Sequence, residues 1–194
     1  MFIFADEKNG NGMTETELSI KLREDARRIG LCDEWYGRWK DSTSKEELVW
    51  LYKRGLDFCI KNRWPSISFI KQHFTQEFLR NHGILIDDIR SYPIRNAETR
   101  RLHYIKEFVL WGRSQAIIRY SFRPHMCNVW ACDNSHVKAY VKYGAFIMIH
   151  LFDNATADVK TDLVSKVTVI RHSMKTKVKK EGIVTIKDEF DYLD

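Results

Sequence analysis

Residues 129–144 read VWACDNSHVKAYVKYG, and apolar and polar side chains alternate in them on both sides of an Asp-Asn turn. The chain then repeats this arrangement, because the Asp-Asn pair that begins at Asp133 is followed by a second pair that begins at Asp153. Period-two alternation is typical of strands with one buried face, and Asp-Asn pairs favour tight turns. Repetition of the unit at a fixed interval predicts stacked coils of short strands.

Similar bursts of alternation, about eight to eleven residues apart, extend over residues 102–187. Ala131, Ala139 and Ala157 occupy the positions expected to face inward, and small side chains suit the narrow interior of stacked coils. We therefore predict a C-terminal parallel β-solenoid, or β-helix. A β-sandwich is the alternative for this half, and the pattern leaves open whether each coil has two strands or three.

The N-terminal half has the start signals and the apolar spacing that are typical of short amphipathic helices. Thr14 with Glu17, and Ser44 with Glu47, form two capping boxes, each followed by apolar residues at three-to-four-residue spacing. The predicted fold class is thus α+β, a bundle of short helices followed by the solenoid. The expected divisions are a flexible tail over 1–13 (with Met13 as an alternative start), a helical head over 14–86, a linker loop over 87–101, the solenoid over 102–187 and an acidic tail over 188–194.

The composition limits the cellular compartments and the classes of protein to which this chain is expected to belong. Its 194 residues are 44% hydrophobic, enough to form a packed core, yet no apolar run reaches the ~18–20 residues of a membrane span. We expect no membrane partner. The N-terminus does not have the pattern of a secretory signal, and the four cysteines are irregularly spaced. Reduced thiols and a location in a bacterial cytoplasm, or in a virion assembled there, are expected.

Positive charge is concentrated in the predicted solenoid. Residues 1–86 carry 14 basic and 13 acidic side chains, whereas residues 99–186 carry 15 basic and 6 acidic ones. The last eight residues, KDEFDYLD, carry one basic and four acidic side chains. Such an asymmetry attracts nucleic acid or another acidic partner, although a solvated surface with spare lysines explains it as well.

Three stretches resemble an uncharacterised family of proteins from gut Bacteroidales, their phages and mobile elements: LCDEWYGRWKD (residues 31–41), RGLDFCIKNRWPSISFIKQHF (residues 54–74) and VWACDNSHVKAYVKYG. The resemblance spans residues 18–193 and implies a helical head followed by a solenoid of V-x-A-x-D-N-A-type repeats. It implies no activity and no catalytic residue. This chain departs from the repeat after Phe146, where we expect longer and less regular coils.

An aromatic series is the first candidate binding surface. Its members are spaced nine to ten residues apart and are expected to form one column on the outside of the solenoid: Trp111, Tyr120, Trp130 and Tyr140, with His150 another ten residues on. Exposed aromatic columns stack on bases or sugars. The alternative is that this column is the seat on which the helical head packs.

A basic series, Arg171, Lys175, Lys177 and Lys179, is the second candidate. Alternate residues of a strand share one face, so the three lysines are expected to lie in a row. The row could bind phosphates. It could equally protect an edge strand from pairing with another chain, because lysines on edge strands deter such pairing.

A metal site is the third candidate, although no cofactor is expected. His125, Cys127, Cys132 and His136 supply the ligand types of a structural zinc site. The alternation argues against it, because Cys127 shares the inward parity of Val129 and Cys132 does not. We expect buried thiols and turn histidines instead.

The sequence therefore favours a non-catalytic protein-interaction or assembly module of phage or mobile-element origin, with a protein partner or self-association. A nucleic-acid-binding protein is the alternative. A small acyl- or sugar-transferase using His136 or His150 as a base is a third reading, which no nucleophile or phosphate-loop motif supports.

Overall fold

A computed structural model describes residues 13–39, 44–92, 107–121 and 126–191. The chain divides into two compact units, Met1–Thr75 and Gln76–Asp194, here called the helical unit and the solenoid unit. The described helices are α1 (Glu15–Arg28), α2 (Asp33–Arg38), α3 (Lys45–Arg54), α4 (Leu56–Lys61), α5 (Ile67–His73) and α6 (Gln76–Asn81). None of the described helices is long and apolar enough to cross a bilayer.

Both predicted capping boxes are present in the helical unit. The Thr14 hydroxyl accepts the Glu17 N–H at 3.2 Å while the Glu17 carboxylate accepts the Thr14 N–H at 2.7 Å, and Ser44 and Glu47 repeat the exchange at the start of α3. These contacts satisfy N–H groups that have no partner within the helix. Apolar side chains on the inner faces then form one core, which consists of Leu18, Leu22, Ala26, Trp39 and Leu48.

The solenoid unit begins with α6, which packs on β1, and continues as a parallel β-solenoid, as predicted. Its strands are β1 (Ile84–Ile86), β2 (Ile89–Tyr92), β3 (Glu107–Trp111), β4 (Gln115–Ser121), β5 (Cys127–Ala131), β6 (His136–Lys142), β7 (Phe146–Leu151), β8 (Thr156–Thr161), β9 (Lys166–Arg171), β10 (Lys177–Glu181) and β11 (Val184–Asp188). The described strand pairs are all parallel, which excludes the β-sandwich alternative, because sandwich sheets are antiparallel.

Each coil contributes two strands, one to each sheet. The odd sheet has the order β1-β3-β5-β7-β9-β11 and the even sheet has the order β10-β8-β6-β4-β2. Residues one coil apart in sequence are therefore neighbours, as where Val129 pairs with Ile149 and Val137 with Ala157. The predicted inward alanines, Ala131, Ala139 and Ala157, are all buried in the core between the two sheets.

The solenoid starts earlier than the sequence suggested. Ile84–Ile86, assigned to the helical head, pairs with β3, and Ile89–Tyr92, assigned to the linker loop, pairs with β4. Ile84 pairs with Val109, a wider interval in sequence than the one from Val129 to Ile149, so the period of the later coils did not reveal these short strands. Residues 1–12, which include most of the predicted flexible tail, lie outside the described residues, as does most of the linker.

Coil length also differs from expectation after Phe146. In the odd sheet Ile149 pairs with Val169 across the same interval that separates Val129 from Ile149, whereas in the even sheet Ala157 pairs with Val178 across an interval one residue longer than that from Val137 to Ala157. The last coil is shorter, because Val169 pairs with Ile186. The predicted general lengthening of the coils after Phe146 is thus not observed, although the length of the coils does vary there. The shortening comes from the tight turn at Gly182 between β10 and β11, where φ is +92°.

One edge of the solenoid is built by stacked turns with left-handed residues. Asp133 and Asp153 have φ of 58° and 53°, and the Asp133 N–H donates to the Asp153 carboxylate at 2.9 Å. The Gly112 N–H in the preceding turn donates to Asp133 at 2.8 Å in the same manner. Aspartate tolerates this conformation, and its carboxylate satisfies the neighbouring coil, so the regular spacing of the Asp-Asn pairs sets the stacking of the turns.

Candidate functional site

The predicted aromatic column does not exist as one surface. Trp111 and Trp130 lie on the outer face of the odd sheet, Tyr120 points into the core, and Tyr140 lies on the outer face of the even sheet. Because each coil has two strands, residues half a coil apart in sequence fall on opposite sheets. Only residues a whole coil apart stack on each other, which is why Trp130 pairs with His150.

The outer face of the odd sheet carries a stack of rings that the predicted aromatic series only partly anticipated. Trp130 stacks on His150 at 4.0 Å between ring centroids, and Phe152 stacks on His172 at 4.3 Å. His150, Phe152 and His172 are buried, and the Trp130 Nε1–H donates to the Glu107 carboxylate at 3.1 Å. Because its members are largely covered, this stack is a packing element of the folded chain and not an open binding column.

The two histidines of the stack form a directional chain of hydrogen bonds. His172 Nδ1 lies 3.0 Å from the Glu189 carbonyl, which can only accept, so this nitrogen carries a proton. Neutral His172 then accepts through Nε2 from His150 Nδ1, at 3.0 Å. Burial, helped by the neighbouring imidazole, lowers the pKa of His150 from 6.5 to about 4, and burial also lowers the pKa of His172.

The outer face of the even sheet is open and basic, and we call it the basic face. Strand alternation and register bring six cations together on β4, β6, β8 and β10, accompanied by two carboxylates: Arg119, Lys138, Lys142, Lys160, Lys177 and Lys179, with Asp158 and Glu181. All six cationic residues are exposed. Two of the predicted lysines belong to this face, and the other four cations were missed, because only the register between coils shows that they are neighbours.

Tyr140 lies within the basic face, among its cations. The Arg119 guanidinium is 5.5 Å from the centre of the Tyr140 ring and the Lys138 ammonium is 5.8 Å from it. Lys160 pairs with Glu181 at 2.7 Å, at the end of the same cross-strand row. Among the described residues, Lys138, Lys177 and Lys179 form no ion pair, so their charges are directed to solvent.

The remaining members of the predicted basic series lie elsewhere. Lys175 is in the turn before β10, off the row formed by Lys177 and Lys179. Arg171 is engaged at the end of the odd sheet, where its Nε and Nη2 donate to the Asp188 carboxylate at 2.7 and 2.8 Å. This bidentate pair raises the pKa of Arg171 and lowers that of Asp188. The prediction that Lys175 shares one row with Lys177 and Lys179 was therefore wrong.

The C-terminal end of the solenoid carries a charge where the repeat has apolar residues. Lys180 takes the inward parity of β10, opposite Val159, and its Nζ donates to the Val184 carbonyl at 3.4 Å. Because β10 is an edge strand, a charge at an inward position there disfavours the addition of another coil or another chain. The protective role expected of Lys175, Lys177 and Lys179 is thus better assigned to Lys180.

The candidate metal ligands that the structure describes are separated. Cys127 points into the core at one end of β5 and Cys132 is buried just beyond the other end. At about 3.3 Å per residue this places them about 16 Å apart, too far to share one ion. His136 lies on the even sheet, and His125 falls outside the described residues. The described part of the chain has no cluster of three or more His, Cys, Asp or Glu side chains suited to a metal.

His136, one of the two histidines named as a possible base, has polar neighbours. Its Nδ1 is 2.8 Å from the Thr156 hydroxyl and its Nε2 is 3.8 Å from the Asp158 carboxylate. The three side chains come from β6 and β8 and lie on the same outer face as the lysines. His150, the other, is buried against Trp130 and is bound to His172.

Comparisons of the chain with protein-family models, curated proteins and solved structures find no match.

Proposed function

We propose that this chain is a non-catalytic protein-interaction or assembly module that docks an acidic partner protein on the basic face. The observation that carries the proposal is the composition of that face, six Lys and Arg side chains against two carboxylates on an exposed, regular sheet. Surfaces with one dominant charge speed and orient encounters with partners of opposite charge.

The spacing of the charges supports recognition by a rigid surface. Neighbouring strands lie about 4.8 Å apart, and alternate residues of one strand about 6.6 Å apart. The strand that carries Lys138 is fixed by buried inward side chains, Val137 and Ala139 among them, and the strand that carries Lys177 and Lys179 is held by its parallel pairing with β8. The backbone therefore does not have to be ordered on binding, which reduces the entropic cost of association.

The experiment that tests this proposal is an affinity capture in which three forms of the full chain are used as bait in a lysate of cells in which the protein occurs. These are the wild type, a face variant (Lys138→Glu, Lys177→Glu, Lys179→Glu) and a control with the same change in charge off the face (Arg113→Glu, Lys175→Glu, Lys187→Glu). We expect an acidic protein to be enriched at least ten-fold by the wild type and the control over the face variant. Equal recovery of the same proteins by all three forms would refute the proposal.

Nucleic acid is a second candidate, favoured by one specific observation. Lys177 and Lys179 extend from one exposed strand at alternate positions, with Lys138 on the same face, an arrangement able to contact successive phosphates. Binding would then weaken steeply with salt, because contacted phosphates release counterions. Fluorescence anisotropy with a labelled single strand and a labelled duplex, at about 50–300 mM salt, tests it. Absence of binding by the wild type at the lowest salt eliminates this candidate.

The proposed module is further taken to come from a phage or mobile element and to act in the bacterial cytoplasm or in a particle. The resemblance of the three stretches named above supports this origin. It stays a prediction, and the captured partner tests it: a virion structural protein is the expected result, and a host metabolic enzyme would argue against it.

A further inference from the structure

A second surface borders the basic face and runs along the edge where the chain passes from the even sheet to the odd sheet. Turns in three successive coils each place large apolar side chains in solvent there: Tyr143 (63% exposed), Leu163 (85%), Val164 (67%) and Ile183 (51%). We call this set the apolar ridge. Single exposed apolar residues are common on proteins, whereas a contiguous set on successive coils marks an interaction site.

Hydrogen bonds between the turns hold the first two coils of the ridge together. The Asp162 carboxylate accepts the N–H of Tyr143 at 2.7 Å, and within its own turn it accepts those of Val164 and Ser165 at 3.2 and 2.8 Å. The Gly144 N–H donates to the Ser165 hydroxyl at 3.1 Å. The Ser165 side chain and the Tyr143 amide lower the pKa of Asp162 to about 2, so these bonds persist over the physiological range.

The turn of the third coil, which carries Ile183, is fastened to Thr161 of the coil before it. Its hydroxyl accepts the Ile183 N–H at 2.9 Å. Gly182, just before Ile183, lies so close to the Thr161 backbone that a Cβ would meet the carbonyl oxygen at 2.6 Å. The exposed apolar side chains therefore project from tightly fastened turns, and the surface is ordered before any partner arrives.

The charges beside the ridge are mainly positive. Lys142, Lys160 and Lys166 adjoin its turns and are exposed. The two nearby carboxylates are already engaged, Asp162 with backbone amides and Glu181 with Lys160. An apolar strip between ammonium groups complements a segment in which apolar side chains are flanked by Asp and Glu.

We infer that the apolar ridge docks a short segment of a partner protein that carries apolar side chains flanked by acidic ones. Three coils span about 10 Å at about 4.8 Å per step, which matches about seven residues of helix at about 1.5 Å each. Because so small a contact buries little area, the complex is expected to be weak and transient. This surface shares Lys142 and Lys160 with the border of the basic face, but its apolar side chains lie off that face and the inference does not require the proposed function to hold.

The test uses two synthetic helical peptides with leucine at positions i, i+3, i+4 and i+7. The other positions are mainly Glu in one peptide and Lys in the other. Binding is measured by fluorescence anisotropy to the full chain, to a ridge variant (Leu163→Ser, Val164→Ser) and to Met174→Ser, which removes an equally exposed apolar side chain from the opposite edge. We expect the acidic peptide to bind, with a Kd at least ten-fold higher for the ridge variant and unchanged for Met174→Ser.

Three results would overturn the inference: no binding of the acidic peptide, equal binding of the basic peptide, or equal affinity for the ridge variant and the wild type. The face variant separates the two surfaces. If the ridge is the site, that variant binds the acidic peptide within about three-fold of the wild type. If instead the face variant loses the peptide and the ridge variant keeps it, the ridge inference is wrong while the basic face still binds acidic ligands. Circular dichroism of each variant confirms folding.

Discussion

Acid is expected to destabilise the solenoid through His150, which is stacked on Trp130 and hydrogen-bonded to the imidazole of His172. The unfolded chain takes up a proton on this side chain near pH 6.5, whereas the folded chain does so only near pH 4. Between these values the unfolded state binds more protons, so the free energy of unfolding falls as the pH falls from about 6.5 to about 4. Above pH 6.5 this contribution is fully present, and below pH 4 it is lost.

The size of the effect follows from the lowered pKa. At about 1.4 kcal/mol per pKa unit, a fall from 6.5 to about 4 corresponds to about 3 kcal/mol of stability. His150→Phe keeps a flat ring on Trp130 and removes the titrating group. At pH 7 it costs about 1 kcal/mol, since His172 loses its hydrogen-bond donor. Between pH 7 and pH 4 the variant should lose about 3 kcal/mol less than the wild type.

Urea denaturation of both proteins at pH 7, 5.5 and 4, followed by far-UV circular dichroism, measures this difference. An NMR titration of the His150 ring gives an independent check, with an expected midpoint near pH 4. If the wild type and His150→Phe lose stability in parallel over this range, or if the ring titrates near pH 6.5, the reasoning about the buried stack is wrong.

Three further substitutions probe the turns and the open end. Asp153→Ala should lower the free energy of unfolding by about 2–4 kcal/mol, because a charge-assisted hydrogen bond is lost and alanine disfavours positive φ. Asp153→Asn tolerates that conformation, so urea denaturation should show a loss less than half as large. Gly182→Ala should cost about 1–3 kcal/mol by thermal denaturation, and a stability equal to wild type would contradict the close approach of the turns. Lys180→Val should cause concentration-dependent self-association, measured by light scattering, whereas Lys179→Val, on the outward face, should not. Identical behaviour of the two variants would show that Lys180 does not protect the edge strand.

Local signals in the sequence predicted much of the fold. The capping boxes at Thr14 and Ser44 act between residues three positions apart, and the Asp-Asn turns at Asp133 and Asp153 act between adjacent coils of constant length. Each can be recognised from the residue types alone. The alternation of small apolar residues such as Ala139 likewise reflects a physical constraint, the narrow space between the sheets.

The candidate surfaces could be predicted less accurately than the fold, because they depend on which residues of neighbouring strands pair with each other. The aromatic series was misleading, since Trp130 and Tyr140 lie on different sheets once a coil has two strands. The cations of the basic face are scattered along the chain from Arg119 to Lys179, and only the pairing of β4, β6, β8 and β10 unites them. The apolar ridge was missed because Leu163 and Val164 interrupt the alternation and resemble an ordinary buried pair.

Each strand pairs with the strands one coil away. The number of coils in the solenoid can therefore change without a change in the side chains that each existing coil presents. Duplication of one whole coil, from one Asp-Asn turn to the next, would retain every hydrogen bond of the coils on either side. Insertion of a single residue at the start of β6, between His136 and Val137, would instead turn Lys138 and Tyr140 into the core and Val137 toward solvent. Such a protein can evolve a longer reach by whole repeats, while each strand remains intolerant of the smallest insertion.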